Sequence, residues 1–151
     1  MRVGAAFDHR GVVLRAAVLE SIAAAGHTAV DLGTDTGAVR IDYPDKALEL
    51  GMALRRGEIE RGVLVCGSGV GASVAASKIP GIRAAICHDA YSAHQGVEHD
   101  DMNVLCLGSE IVGGELTREL VRIFLGARFI GGGRYADRLE KVAELERMSD
   151  G

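Results

Sequence analysis

Basic charge is not in surplus in this chain: 17 lysines and arginines face 21 aspartates and glutamates, for a net charge of −4. That balance excludes a global nucleic-acid-binding surface, although local arginine clusters can still hold a small anion. Long apolar runs are missing too. None reaches the roughly 18 residues that a membrane-spanning helix needs. The opening MRVGAAFDHRG meets charge too early for the apolar stretch of a secretory signal, and none is expected. Cysteine is scarce. Its three copies, Cys66, Cys87 and Cys106, are odd in number and sit in or at the end of apolar runs. They make no disulfide framework, and a reducing, cytoplasmic setting is the expectation. No repeat, linker or low-complexity segment interrupts the sequence, so residues 1–151 are expected to form a single domain.

What is present is an alternation of two periods. Near-continuous apolar runs at 2–7, 28–32, 62–66, 83–87 and 103–107 have the pattern of strands covered on both faces. Helical stretches at 11–25, 44–56, 70–79, 90–97 and 113–125 separate them. Pro44 suits a first helical turn, where its missing N–H costs nothing, and Gly26 suits a helix stop. Such alternation predicts an α/β fold: a three-layer (αβα), Rossmann-like domain around a five-stranded parallel sheet. The order 2-1-3-4-5 is the flavodoxin-like expectation. A last amphipathic helix over 134–148 has no face of the sheet left to cover, and is expected to pack on a partner subunit.

Ligands of such folds bind outside the carboxyl ends of the strands, where the strand order reverses. Strand one ends in FDHRG and strand three in CGSGVG, so two chemically rich segments are expected at one crevice. Alone, Asp8 reads as a helix cap and His9 as a solvated loop residue; at the crevice both become candidate site residues. Gly67-Ser68-Gly69-Val70-Gly71-Ala72 formally fits G-x-G-x-x-G/A, with Asp89 22 residues on, the fingerprint of a dinucleotide-binding module. It also fits a tight turn, or an anion hole built from the N–H groups at a helix start. Cys66 favours the last reading. A thiol that closes a strand just before a helix N-terminus is placed to be a reactive thiolate, useful in proton transfer and not in a nucleotide cradle. The histidines and acids of 88–101 match no metal-ligand spacing, so no metal is expected; Asp100 or Asp101 can equally cap a turn. His99, just before a strand, is expected at the far edge of the crevice or reaching a neighbouring subunit. Arg134 and Arg138, four apart, share a helix face and read equally as surface charge or as a phosphate clamp.

Taken together, DHRG (8–11), DYP (42–44), CGSGVG (66–71), SKIPGIRAA (77–85), YSA (91–93), EHDDMNVLCLGS (98–109) and GGRYADR (132–138) resemble the ribose-5-phosphate isomerase B family, which includes the galactose-6-phosphate isomerase subunits. The resemblance covers essentially the whole chain. It implies a cofactor-free aldose–ketose isomerase acting on a phosphosugar through an enediolate, as a homodimer or homotetramer with its sites at the subunit interface. By resemblance, Cys66 is the base and Ser68 assists it. The N–H groups of Gly67, Gly69, Val70 and Gly71 hold the enediolate oxygen. His99 opens the sugar ring, with Asp8 on the ring side. His9, Arg134 and Arg138 bind phosphate, and Tyr43 lines the sugar pocket.

Three positions depart from the family pattern. Asp100 stands where Asn is common, and a carboxylate donates no hydrogen bond unless protonated. Glu110 stands where Arg contributes to the anion site; a glutamate facing phosphate would repel it. Ser77 replaces an Asn. Ribose 5-phosphate is thus the expected substrate. A four- or six-carbon phosphosugar (erythrulose, allose or galactose phosphate) is the alternative that Glu110 and Asp100 raise.

Overall fold

The computed structural model describes residues 1–148. The elements run β1 (Arg2–Phe7), a 3-10 turn (Gly11–Leu14), α1 (Arg15–Ala24), β2 (Thr28–Asp31), α2 (Tyr43–Arg55), β3 (Arg61–Cys66), α3 (Val70–Ser77), β4 (Ala84–Ile86), α4 (Ala90–Asp100), β5 (Val104–Gly108), α5 (Gly114–Gly126) and α6 (Gly133–Met148). Each apolar run became a strand and each 3.6-period stretch a helix. The strands form one parallel sheet.

The strand order is 2-1-3-5-4, not the expected 2-1-3-4-5. The reason lies in the last two strands. All five residues of β5 are buried, whereas β4 has three residues, each only half-buried. The fully apolar strand takes the inner place and the short one the edge. Because parallel crossovers are right-handed, the return from β4 to β5 puts α4 on the same face as α1 and α5.

Side chains alternate between the faces of a strand, and so two cores form. Val3, Ala5 and Phe7 of β1 pack with Val18 and Ile22 of α1, Val97 of α4 and Leu120 and Phe124 of α5. Ala6 of β1, with Leu64 and Cys66 of β3, packs under Leu50 and Ala53 of α2 and Ala72 and Ala76 of α3. In the β1–β3 register Ala6 lies opposite Leu64 and Phe7 opposite Val65. One step further puts Asp8 opposite Cys66, both on the α2/α3 face. The sheet's register alone therefore brings those two side chains together.

Helix α6 buries none of its residues. It leans on its own chain through a Tyr135–His99 ring stack, 4.6 Å between centroids, and a bond from the Gly81 N–H to Glu146 Oε1. Val142, Leu145 and Met148 stay exposed.

Candidate active site

Asp8, His9, Arg10, Arg40, Ile41, Asp42, Tyr43, Cys66, Gly67, Ser68 and Gly71 line a crevice of about 360 Å³ at the carboxyl ends of β1 and β3, where the strand order reverses. Its size is that of a small-molecule site. A larger groove, about 650 Å³, runs between α6 and the β4 edge and includes Asp100, Met102, Arg138, Leu139 and Val142. Its lining mixes aliphatic side chains with Ser77, Lys78, Arg83 and Glu146 but holds no thiol; the smaller crevice, which holds Cys66, is the candidate site.

Asp8 is buried and divides its carboxylate between two tasks. Oδ1 accepts the N–H groups of Arg10 at 3.0 Å and Gly11 at 2.7 Å, capping the 3-10 turn. Oδ2 has no partner among the described residues and is left for a ligand. His9 is tethered through Nδ1, which lies 3.1 Å from the Ile41 carbonyl oxygen and 3.2 Å from the Ile41 N–H, donating to the one or accepting from the other according to the tautomer. With the proton on Nε2, Nδ1 accepts from the Ile41 N–H and Nε2–H is free to donate to an anion.

Cys66 ends β3 with its thiol 3.2 Å from the Gly69 N–H. That N–H can point back at the sulfur because Gly69 is left-handed, φ 83°, a conformation that glycine adopts without strain. The Ser68 hydroxyl accepts from Val70 N–H at 3.2 Å. Gly67, Ser68 and Gly71 each carry an N–H with no acceptor among the described residues, at the start of α3, where the helix dipole favours negative charge. The Tyr43 ring covers Gly71 so closely that a Cβ there would come within 2.5 Å of it.

The other thiols differ. Burial and then the Asp89 charge push Cys87 up to about 11, and burial likewise raises Cys106, with Cys66 and Cys87 adding to it. Of the three buried, unpaired cysteines, Cys66 alone lines the crevice. Asp89, the acid of the dinucleotide fingerprint, instead caps α4 by accepting the Ser92 N–H at 2.7 Å. That bond is the main cause of its lowered pKa.

The structure separates the remaining expected residues from this crevice. Helix α4 runs to Asp100, three residues past the expected end, and places His99 in its last turn. His99 Nδ1 accepts from Gln95 Nε2 at 2.9 Å, and His99 Nε2 lies 3.6 Å from Glu98. Arg134 donates to the Tyr135 hydroxyl at 3.0 Å, and Arg138 and Asp100 line the larger groove. His99 and Asp100 precede β5, whereas Cys66 pairs with the residue that ends it. The two groups sit at opposite ends of a five-residue strand, about 16 Å apart at 3.3 Å per residue. Of the two positions expected for His99, the far edge of its own chain's crevice is excluded.

Sequence reading assigned no role to Arg10, Arg40, Ile41 or Asp42. Their signal was available: all four lie within or beside the DHRG and DYP segments. It also missed Gly108, whose Cα faces the Ser68 backbone so closely that a Cβ would clash at 2.5 Å, and His88, whose Nε2 accepts the Gly108 N–H at 3.0 Å.

Comparison with known proteins agrees with this geometry. The ribose/galactose isomerase family profile matches residues 3–142. Ribose-5-phosphate isomerase B of Escherichia coli is 40% identical over 140 residues, 93% of either chain. D-erythrulose-4-phosphate isomerase of Pectobacterium atrosepticum is 36% identical over 141 residues, 93% of this chain and 92% of that one. The structure of Clostridium thermocellum ribose-5-phosphate isomerase B superposes with a TM-score of 0.94 at 40% identity, covering 99% of both chains. A thiol beside unpaired N–H groups, on a fold shared end to end with these proteins, has one family to which it fits: the chain belongs to the ribose/galactose isomerases.

Proposed function

We propose that this protein interconverts an aldose phosphate and its ketose, with ribose 5-phosphate and ribulose 5-phosphate as the pair. The observation that carries the reading is the meeting of the Cys66 thiol with the unpaired N–H groups of Gly67, Ser68 and Gly71 in one crevice. Cys66, as thiolate, takes the C2 proton of the open-chain aldose. The C–H electron pair becomes the C1–C2 double bond, and O1 takes up negative charge that the loop N–H groups stabilise. The O2 proton passes to O1, which becomes the C1 hydroxyl; O2 closes to the ketone, and the electron pair of the C1–C2 double bond takes the proton back from the thiol at C1. Each oxyanion donor contributes on the order of 3 kcal/mol, and a positioned base roughly a hundred- to ten-thousandfold. Ser68 steadies the reacting oxygens, Tyr43 walls the sugar, and Asp8 Oδ2 faces its ring hydroxyls. No cofactor enters these steps.

Ring opening by His99, and phosphate binding by Arg134 and Arg138 beside His9, require a second copy of the chain. The reading is supported by their distance from Cys66 within one chain and by the unburied apolar stripe of α6. Asp100 would then face the same composite site. Three unpaired cysteines suit a reducing cytoplasm. A four-carbon substrate is the second reading, favoured by the relationship to an erythrulose-4-phosphate isomerase.

A panel of four-, five- and six-carbon aldose and ketose phosphates incubated in D₂O tests both. Deuterium at C1 or C2 of ribose 5-phosphate or its product is the expected result. Exchange confined to the four-carbon sugar would replace the substrate, and no exchange with any sugar would end the isomerase reading. Cys66→Ala should lower kcat by at least about a hundredfold with the fold intact by circular dichroism; near-normal turnover would remove Cys66 as base.

A further inference from the structure

Glu110, if it faced a phosphate, was expected to repel it. The structure shows another arrangement. The Glu110 N–H is bonded to the Gly67 carbonyl at 2.9 Å, which fixes this residue beside the loop. Its carboxylate lies 3.4 Å from Arg10 Nη2, so the glutamate's charge is answered by a guanidinium. That guanidinium lies flat against the Cα of Gly67, where a Cβ would stand 2.6 Å from Cζ and 2.7 Å from Nη1. A side chain at residue 67 would push the Arg10 guanidinium away from this position. Asp8 fixes the arm from below by accepting the Arg10 N–H at 3.0 Å, and Arg10 lines the crevice with Cys66 and His9.

The ion pair is not there for stability. Both side chains are more than half exposed, and such pairs contribute about 0–1 kcal/mol. The contact engages one nitrogen, and a guanidinium has five N–H donors in a planar fork that suits a phosphate's paired oxygens. A dianion entering the crevice meets a cation already placed, loosely paired and cheap to recruit. We propose that Arg10 binds the substrate's phosphate, carried over Gly67 to the crevice mouth by its pairing with Glu110, and so helps to decide which phosphosugar fits between the guanidinium and Cys66. The substrate rests on the isomerase reading; the anion site does not.

Two measurements separate the two. Inorganic phosphate is titrated by calorimetry into the wild type, Arg10→Ala, Arg10→Lys and, as a control with the same charge change on the outer face of α5, Arg122→Ala. The same proteins are assayed with ribose 5-phosphate. Arg10→Ala should weaken phosphate and raise KM by about tenfold or more, with kcat within about threefold, as loss of uniform binding requires. Arg10→Lys should recover part of both, since the charge returns without the fork, and Arg122→Ala should match the wild type. Arg10-dependent phosphate binding without isomerase activity would uphold the anion site and fail the isomerase reading. Phosphate affinity and KM within twofold of wild type in Arg10→Ala would overturn the proposal. So would a loss confined to kcat, which would put Arg10 at the enediolate instead.

Discussion

At the scale of single residues, the crevice works by giving one group two duties. Asp8 caps a turn with one oxygen and keeps the other without a partner among the described residues, so the cap reading holds and leaves an oxygen for the proposed ligand. Sequence could name Asp8, Cys66 and the glycines because strand-end chemistry is local. It could not show that Arg10 lies over Gly67, since that contact joins two loops 57 positions apart. Two predictions belong here. Cys87 and Cys106 are held as thiols by burial and face the core, so limited iodoacetamide at neutral pH should place a single adduct, on Cys66, and activity should fall with it; a phosphosugar should protect. Modification of Cys87 or Cys106 in the folded protein would contradict the contrast drawn between the thiols. Gly71→Ala is the second. A helical Ala gains about 1 kcal/mol over Gly, but its Cβ drives the half-exposed Tyr43 ring off the crevice. Those terms nearly cancel in stability but not in binding. Tm should stay within about 4 °C while KM rises about tenfold; an unchanged KM would take Tyr43 out of the sugar pocket.

At the scale of elements, periodicity located every strand and helix because covering a strand on both faces leaves an unmistakable apolar run. Order within the sheet was less legible. It depends on which of two apolar runs is better buried, and RAAIC against NVLCL is a difference of degree. The consequence is structural: β4 at the edge is short, and His88 just beyond it reaches across to hold the Gly108 N–H at the end of β5, directly under the Ser68 backbone. Burial lowers the His88 pKa from 6.5, with Asp89 opposing. His27 is lowered too, by burial, then by the N-terminal ammonium and Arg61, against Glu60. A histidine whose native pKa is depressed binds fewer protons folded than unfolded. Its contribution is intact above the unfolded value near 6.5 and is lost as pH falls through that value towards the native one. The thermal midpoint should therefore fall on acidification from about pH 7.5 to 5.5. His88→Gln keeps an acceptor for Gly108 but does not titrate, and should flatten that decline. A profile identical to wild type would show that the His88 bond is not the coupling.

At the scale of the whole molecule, one chain places Cys66 and Asp8 at one end of the sheet and His99, Arg134 and Arg138 by the other. No side-chain rotation closes a gap the length of a strand, so the proposed site, if it is to hold all five residues, takes two chains. The sequence raised a second chain only through a helix with nothing to cover; which residues fall at which end of the sheet follows from α4 running antiparallel to the strands it joins. The arrangement makes a prediction that a site built within one chain does not share. Cys66→Ala and the double variant Arg134→Ala/Arg138→Ala should each be nearly inactive as pure proteins. When equal amounts are unfolded together and reassembled, half of the dimers are hybrids. In each hybrid one site combines both lesions, and the other pairs an intact Cys66 from one chain with intact arginines from its partner. Activity should thus return to about a quarter of wild type, as the two-fold symmetry of an isologous dimer demands. Reassembly that yields hybrids by native mass spectrometry but no activity would place all the residues of a site on one chain, and the separation along β5 would then need another explanation.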